Sequence, residues 1–175
     1  MAELPDITRI ACDRALRRLA EGDMDALETI YHKLGRKIFM TAFSVLGDTH
    51  AAEDMMQDTF VRLAASAGGY REGSNAVAYI LTVTRNLAIT ALEKRKHEYP
   101  AEEIFGGDAA EDESLPLREL EALRTLTEDD RQIVILKLDA GMKHRDIAAL
   151  LGITPAACEK RYQRALGKLK EYYQA

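Results

Sequence analysis

The sequence predicts an all-α protein of two small helical domains joined by an acidic flexible linker, the second domain a helix-turn-helix of winged-helix-like kind. Three observations predict it. Apolar residues recur at helical spacing in nearly every segment of the 175-residue chain, while Val/Ile runs stay short. Residues 98–119 interrupt that pattern with Pro100, Gly106, Gly107, Pro116 and a dense run of acids. After the interruption, a glycine turn followed by Thr154-Pro155 joins two amphipathic segments.

Composition narrows the function classes. Hydrophobic residues at 47% are enough for packed cores and argue against wholesale disorder. No apolar stretch approaches the ~20 residues of a membrane span, and the N-terminus has no basic segment followed by an apolar one, so neither a span nor a secretion leader is expected. Cys12 and Cys158 are far apart and the four histidines are scattered, so reduced cysteines in a cytoplasmic protein, with no metal or cofactor, are expected. The net charge of −5 conceals an asymmetry. Residues 98–119 hold eight acids against Arg118, whereas residues 120–175 hold ten bases against eight acids. The negative charge belongs to the linker, and the flanking domains are neutral to basic.

In the first domain, residues 1–97, a helix over Asp13–Glu21 ends at Gly22. Asp23 is placed to cap a second, running through Leu27, Ile30, Leu34 and Ile38 to the break at Gly47-Asp48. A third, from Thr49 to about Ala67, carries Ala52, Met55, Met56, Phe60 and Leu63 on one stripe, and Asp54 and Asp58 on another face. A glycine-rich loop, 68–74, precedes a fourth helix with Val77, Ile80, Leu81, Thr84, Leu87 and Leu92, which ends in Lys94-Arg95-Lys96-His97. In the second domain, residues 120–175, Thr127 followed by three acids marks a helix start. That helix is expected to bury Ile133, Val134, Leu136 and Leu138 and to stop at Gly141. A short helix, Arg145–Leu151, stops at Gly152. Thr154 as N-cap with Pro155 at the first helical position opens the last helix.

That last helix has two faces. Cys158, Tyr162, Ala165 and Leu169 form an apolar stripe, and Lys160, Arg164 and Lys168 form a cationic one with Arg161 beside it. A cationic helix entered through a tight turn suits the DNA major groove.

Three segments carry a resemblance to a known family. Leu46-Gly-Asp-Thr-His-Ala-Ala-Glu-Asp-Met-Met-Gln-Asp-Thr-Phe-Val-Arg-Leu63 resembles the polymerase-binding helix of extracytoplasmic-function (ECF) sigma factors of the sigma-70 family. Tyr79-Ile-Leu-Thr-Val-Thr-Arg-Asn-Leu-Ala88 resembles the helix after their promoter-melting loop, and the stretch from Leu126 to Lys168 resembles their second DNA-binding domain, region 4. The resemblance covers about residues 15 to 172 and makes the first domain similar to sigma region 2.

The resemblance implies a subunit that binds core RNA polymerase and directs it to promoters. Asp54, Gln57 and Asp58 match positions that contact the clamp helices of the largest subunit, and the second domain is expected to meet the flap. The loop 68–75 matches the segment that captures flipped bases of the −10 element, with Tyr70 and Asn86 as candidates for the base pocket and Arg71 beside them. Lys94, Arg95 and Lys96 would hold phosphates, a salt-sensitive contribution. Thr154, Glu159, Lys160, Gln163 and Arg164 match positions facing the −35 element, with Arg161 on the backbone. The family also implies an anti-sigma partner, which tethers some members to a membrane. Three departures bear on promoter choice: Tyr79-Ile80 stands where the family has Trp-Leu, with Ala76 in place of an aromatic just before it; Glu159 occupies a position more often basic or neutral; and the short helix opens Lys143-His144-Arg145-Asp146, where the family often has an acid one residue earlier.

The alternative of a stand-alone helix-turn-helix regulator would have no use for Asp54, Gln57 and Asp58. An enzyme is disfavoured, because no nucleophile–base pair, phosphate loop or metal spacing is present in the sequence. A plain helical adaptor would not need the basic face of the last helix.

Overall fold

The computed structural model describes residues 6–98 and 117–175. Among them eight α-helices and one 3-10 turn form, and no strand. The expected linker lies outside the described residues except at its edges, where Glu98 ends one helix and Leu117 begins the next.

Helix α1, Ile7–Ala20, starts earlier than its apolar pattern announces, because the Asp6 side chain accepts from the Thr8 and Arg9 amides at 3.1 and 3.2 Å. Asp23 does not cap α2 (Ala26–Leu46). It accepts instead from the Asp25 amide at 3.1 Å and from Arg18, holding the α1–α2 turn. Helix α3 spans Thr49–Ser66 and passes through the 3-10 turn Ala67–Gly69 into the loop. Asn75 caps α4, Ala76–Glu98, by accepting from the Ala78 amide. In the interior of these helices Ile30, Leu34, Ile38, Leu63 and Ile80 are fully buried with Leu16 of α1.

The second domain comprises α5 (Leu117–Arg124), α6 (Glu128–Leu138), α7 (His144–Leu151) and α8 (Pro155–Gln174). Thr127 accepts from the Asp130 amide at 3.3 Å and opens α6. Gly152 closes α7 at φ 66°, the left-handed conformation that the tight turn requires. Thr154 accepts from the Ala157 amide at 3.1 Å and opens α8. Leu138, expected inside, is 62% exposed. It borders an apolar cleft of about 230 Å³ between α2, α5, α6 and α8, with Met40, Leu123, Ile135 and Leu169 as neighbours.

The two domains pack on one another. One continuous core includes Phe39, Phe43 and Leu46 of α2, Met55 of α3, Leu123 of α5, Val134 and Ile135 of α6 and Tyr162 of α8. The middle of α6 is therefore covered on every side, and Asp130 through Leu136 are all buried, Arg131 and Gln132 included. Arg131 donates from Nε to the Ser44 carbonyl at 2.9 Å, and Arg124 donates from Nε to the Gly47 carbonyl at 3.1 Å. Both guanidinium groups lie against the Phe43 ring, Arg124 at 5.6 Å and Arg131 at 5.9 Å from its centroid. Two cations thus meet the carbonyl-rich C-terminus of α2, where its dipole is negative.

Candidate functional site

Three surfaces carry the residues singled out in the sequence. On α3, Asp48 starts the helix by accepting from the Ala51 amide at 2.9 Å, and Ala52, Met55, Thr59 and Leu63 anchor its buried side. That anchoring turns Asp54, Gln57 and Asp58 outward, all exposed, together with Val61, which is 69% exposed. Spacings of three, four and seven residues put them on one stripe. Among the described residues no cation lies within ion-pair distance of Asp54 or Asp58, so the stripe offers two unneutralised carboxylates and an amide around an apolar spot.

The second surface is the loop after α3 with the flank of α4. Residues 71–75 are exposed, whereas Tyr70 is half-buried. Its ring lies 5.1 Å from that of Tyr79, at 52°, and its hydroxyl donates to Asp13 of α1 at 2.6 Å. Burial first, and then the bond to the Asp13 carboxylate, raise the Tyr70 phenol above its ordinary pKa. Asn86 is exposed on α4, and Lys94 and Lys96 are exposed farther along it, with Arg95 half-buried. Lys96 lies 3.8 Å from Glu128 of α6, and Lys94 lies 3.9 Å from Glu98. Ala76 is fully buried at the start of α4, so a large aromatic there would have to displace core.

The third surface is α8. Cys158, Tyr162 and Ala165 are buried against α6 and α7, which leaves Glu159, Lys160, Gln163, Arg164 and Lys168 exposed. Thr154 is exposed, with its hydroxyl engaged in the cap. Arg161 stands apart from this group. It donates from Nε to Asp130 at 2.9 Å and from Nη1 to Asp129 at 3.2 Å. Burial works against its charge, and the bonds to Asp130 and Asp129 outweigh that, raising its pKa. Arg161 thereby ties α8 to the start of α6. Cys158 lies with Sγ 3.7 Å from His144 Nδ1, and burial raises its thiol pKa. Burial likewise pushes Cys12 up to about 11, which disfavours the thiolate at both positions.

Sequence reasoning missed Asp13, Arg85, Arg124 and Arg131. Arg85 donates from Nε to Gln132 at 2.9 Å, across the domain boundary. Each reads as an ordinary helix-surface charge, because its partner lies 47 to 87 residues away.

Comparison with known proteins bears on what these surfaces serve. A family model described as Sigma-70 region 2 matches residues 30–98, and one described as Sigma-70, region 4 matches residues 117–169. The RNA polymerase sigma factor CarQ of Myxococcus xanthus is 31% identical over 163 residues, covering 89% of this chain and 94% of the relative. The chain belongs to the sigma-70 family, in its ECF branch. The ECF RNA polymerase sigma factor EcfG of Rhodopseudomonas palustris is 32% identical over 136 residues, spanning 73% of this sigma factor and 74% of the relative. The sigma factor RpoE of Bartonella quintana, solved in complex with the anti-sigma factor NepR, superposes with a TM-score of 0.70 at 25% identity, covering 86% of this chain and 98% of that one. CnrH, solved with the cytosolic domain of CnrY, shares the fold at a TM-score of 0.65. The α3 stripe and the loop fall in the region 2 match, and the cationic face of α8 falls in the region 4 match.

Proposed function

We propose that this sigma factor binds core RNA polymerase and directs promoter-specific transcription initiation, acting as a regulatory subunit without catalysis of its own. The observation that carries this reading is the coexistence, on one chain, of an unneutralised carboxylate stripe on α3 and an exposed cationic recognition face on α8. Asp54, Gln57 and Asp58 bind the polymerase clamp helices through charge-assisted hydrogen bonds to basic side chains. The first domain, residues 1–97, melts and reads the −10 element through the loop at 68–75 and Asn86. Lys94, Arg95 and Lys96 hold phosphates there. The second, residues 120–175, reads the −35 element with Glu159, Lys160, Gln163 and Arg164, whose donors and acceptors match base edges in the major groove. Between them the acidic linker passes through the polymerase. Thr154 serves as a helix cap at the edge of the −35 face.

Its site of action is the cytoplasm, and no helix among the described residues is long and apolar enough to cross a membrane. An anti-sigma protein that covers these faces is the proposed restraint on activity, by analogy with the Bartonella quintana relative crystallised with NepR.

The test is capture of purified core RNA polymerase by the wild type and by Asp54→Ala/Gln57→Ala. Stoichiometric capture that weakens at least tenfold in the double variant is expected, corresponding to about 1.4 kcal/mol or more. DNA binding without polymerase capture would favour the stand-alone regulator. Lys160→Ala/Arg164→Ala keeps polymerase capture and loses selection between promoters that differ in the −35 element. A contact to a base edge contributes roughly 1–3 kcal/mol of discrimination.

A further inference from the structure

Asp13 projects from the middle of α1 towards a loop that begins almost sixty residues later. Its Oδ1 accepts the Tyr70 hydroxyl at 2.6 Å and the Gly73 amide at 3.0 Å. On the other oxygen, Oδ2 lies 3.4 Å from Arg17 Nη2, and Arg17 also pairs with Glu72. Two adjacent turns of α1 therefore grip the loop at Tyr70, Glu72 and Gly73. The Tyr70 hydroxyl also lies 3.1 Å from the Ser74 carbonyl. A phenol has one proton to donate, and the shorter contact to a carboxylate takes it. Gly73 sits at φ 79°, so its amide is aimed at Asp13 by a conformation that residues with a Cβ rarely adopt. Residues 71–75 are otherwise exposed, and these bonds are their main anchor to the first domain.

We propose that Asp13 is a positioning residue for promoter melting. Its carboxylate fixes the 70–75 loop in one shape before DNA arrives, and Tyr70 acts through that bond and not by stacking on a base. The proposal rests on the sigma-factor reading of the loop. Its physical content is preorganisation: a loop ordered in advance does not lose that freedom when a flipped base enters. Tyr70 is also poorly disposed to stack, since its ring already leans on Tyr79.

Phenylalanine separates the two roles of Tyr70, because it keeps the ring and removes the proton. Asparagine separates the roles of Asp13, because it keeps Oδ1 as an acceptor and removes the charge. The experiment assembles holoenzyme from core RNA polymerase and the full chain as wild type, Asp13→Ala, Asp13→Asn, Tyr70→Phe and Asp13→Ala/Tyr70→Phe. Polymerase capture, permanganate reactivity of unpaired thymines at the −10 element and amide hydrogen exchange at Gly73 are measured for each. Capture is expected to be unchanged. Asp13→Ala and Tyr70→Phe each lower promoter melting on the order of tenfold, the double variant is no worse than the poorer single one, and Asp13→Asn loses less than half as much on a logarithmic scale. Gly73 exchange accelerates in Asp13→Ala. Full melting activity in Tyr70→Phe would overturn the proposal, as would additive losses in the double variant. Failure of the wild type to capture polymerase would sink the sigma-factor reading instead, while Gly73 exchange would still report whether Asp13 holds the loop.

Discussion

At the scale of single residues, one cation and one carboxylate have different roles from those their positions in the chain suggest. Arg161, beside the basic face of α8, spends its guanidinium on Asp129 and Asp130. Asp13 looks like any acid on an amphipathic helix until the loop folds over it. The Tyr70 bond first and the Gly73 amide next hold its carboxyl below the ordinary range; burial opposes them, and the Arg17 charge adds a smaller lowering. A carboxylate with a lowered folded-state pKa contributes its stabilisation above its unfolded pKa and loses it as pH falls through the lowered value. Titration of the Tyr70 ring resonance is therefore expected to fall at a lower pH than that of an unperturbed aspartate. Arg17, which pairs with both Asp13 and Glu72, and Arg9, near Tyr70, are the other charges around the Asp13–Tyr70 bond. Exposed candidates such as Asp54, Asp58, Lys160 and Arg164 were legible in the sequence because helical periodicity alone decides which face is wet. Asp13, Arg124 and Arg131 were not, since nothing local encodes a partner scores of residues away.

At the scale of elements, caps and glycines set the boundaries and make separate predictions. Thr154→Ala removes the bond to the Ala157 amide at the start of α8 and is expected to cost about 1 kcal/mol of stability, read from denaturant midpoints at constant slope. Gly47 is more demanding. It closes α2 at φ 67°, and a Cβ built there would stand 3.1 Å from one Arg131 nitrogen and 3.2 Å from the other. Gly47→Ala is expected to cost roughly 1–2 kcal/mol from the left-handed backbone alone, and more from the displaced guanidinium, which thermal unfolding would show as a fall of several degrees. The helices themselves were readable: breaks at Gly22, Gly47, Gly141 and Gly152 fall where the apolar pattern stops. The exception in kind is α6. An amphipathic reading allots it one inner face, but packing between α2 and α8 buries polar Asp130, Arg131 and Gln132 as well. Leu138 then lies at the rim of a cleft, because its helix ends before the core closes over it.

At the scale of the whole molecule, an acidic tether in the sequence suggests two domains that move freely, whereas the structure joins them through a shared core and several polar ties. Arg36 reaches Glu119 and Asp139, both at 3.4 Å, Lys96 meets Glu128, and Arg131 fills the end of α2. Arg131→Ala is expected to open this joint. Small-angle scattering would show a larger radius of gyration, and calorimetry would resolve two unfolding transitions where the wild type gives one. An unchanged radius would mean that apolar contacts alone hold the domains together. The buried guanidinium has a consequence for traffic among partners. A protein that engages the docked form binds at its intrinsic affinity. One that needs the domains apart must first break the Arg131 and Arg124 bonds to the α2 carbonyls and expose the shared apolar core, and each ~1.4 kcal/mol of that work weakens its apparent affinity tenfold. Arg131 thus ranks competitors before any of them touches the surface, and a single substitution there would reorder the queue.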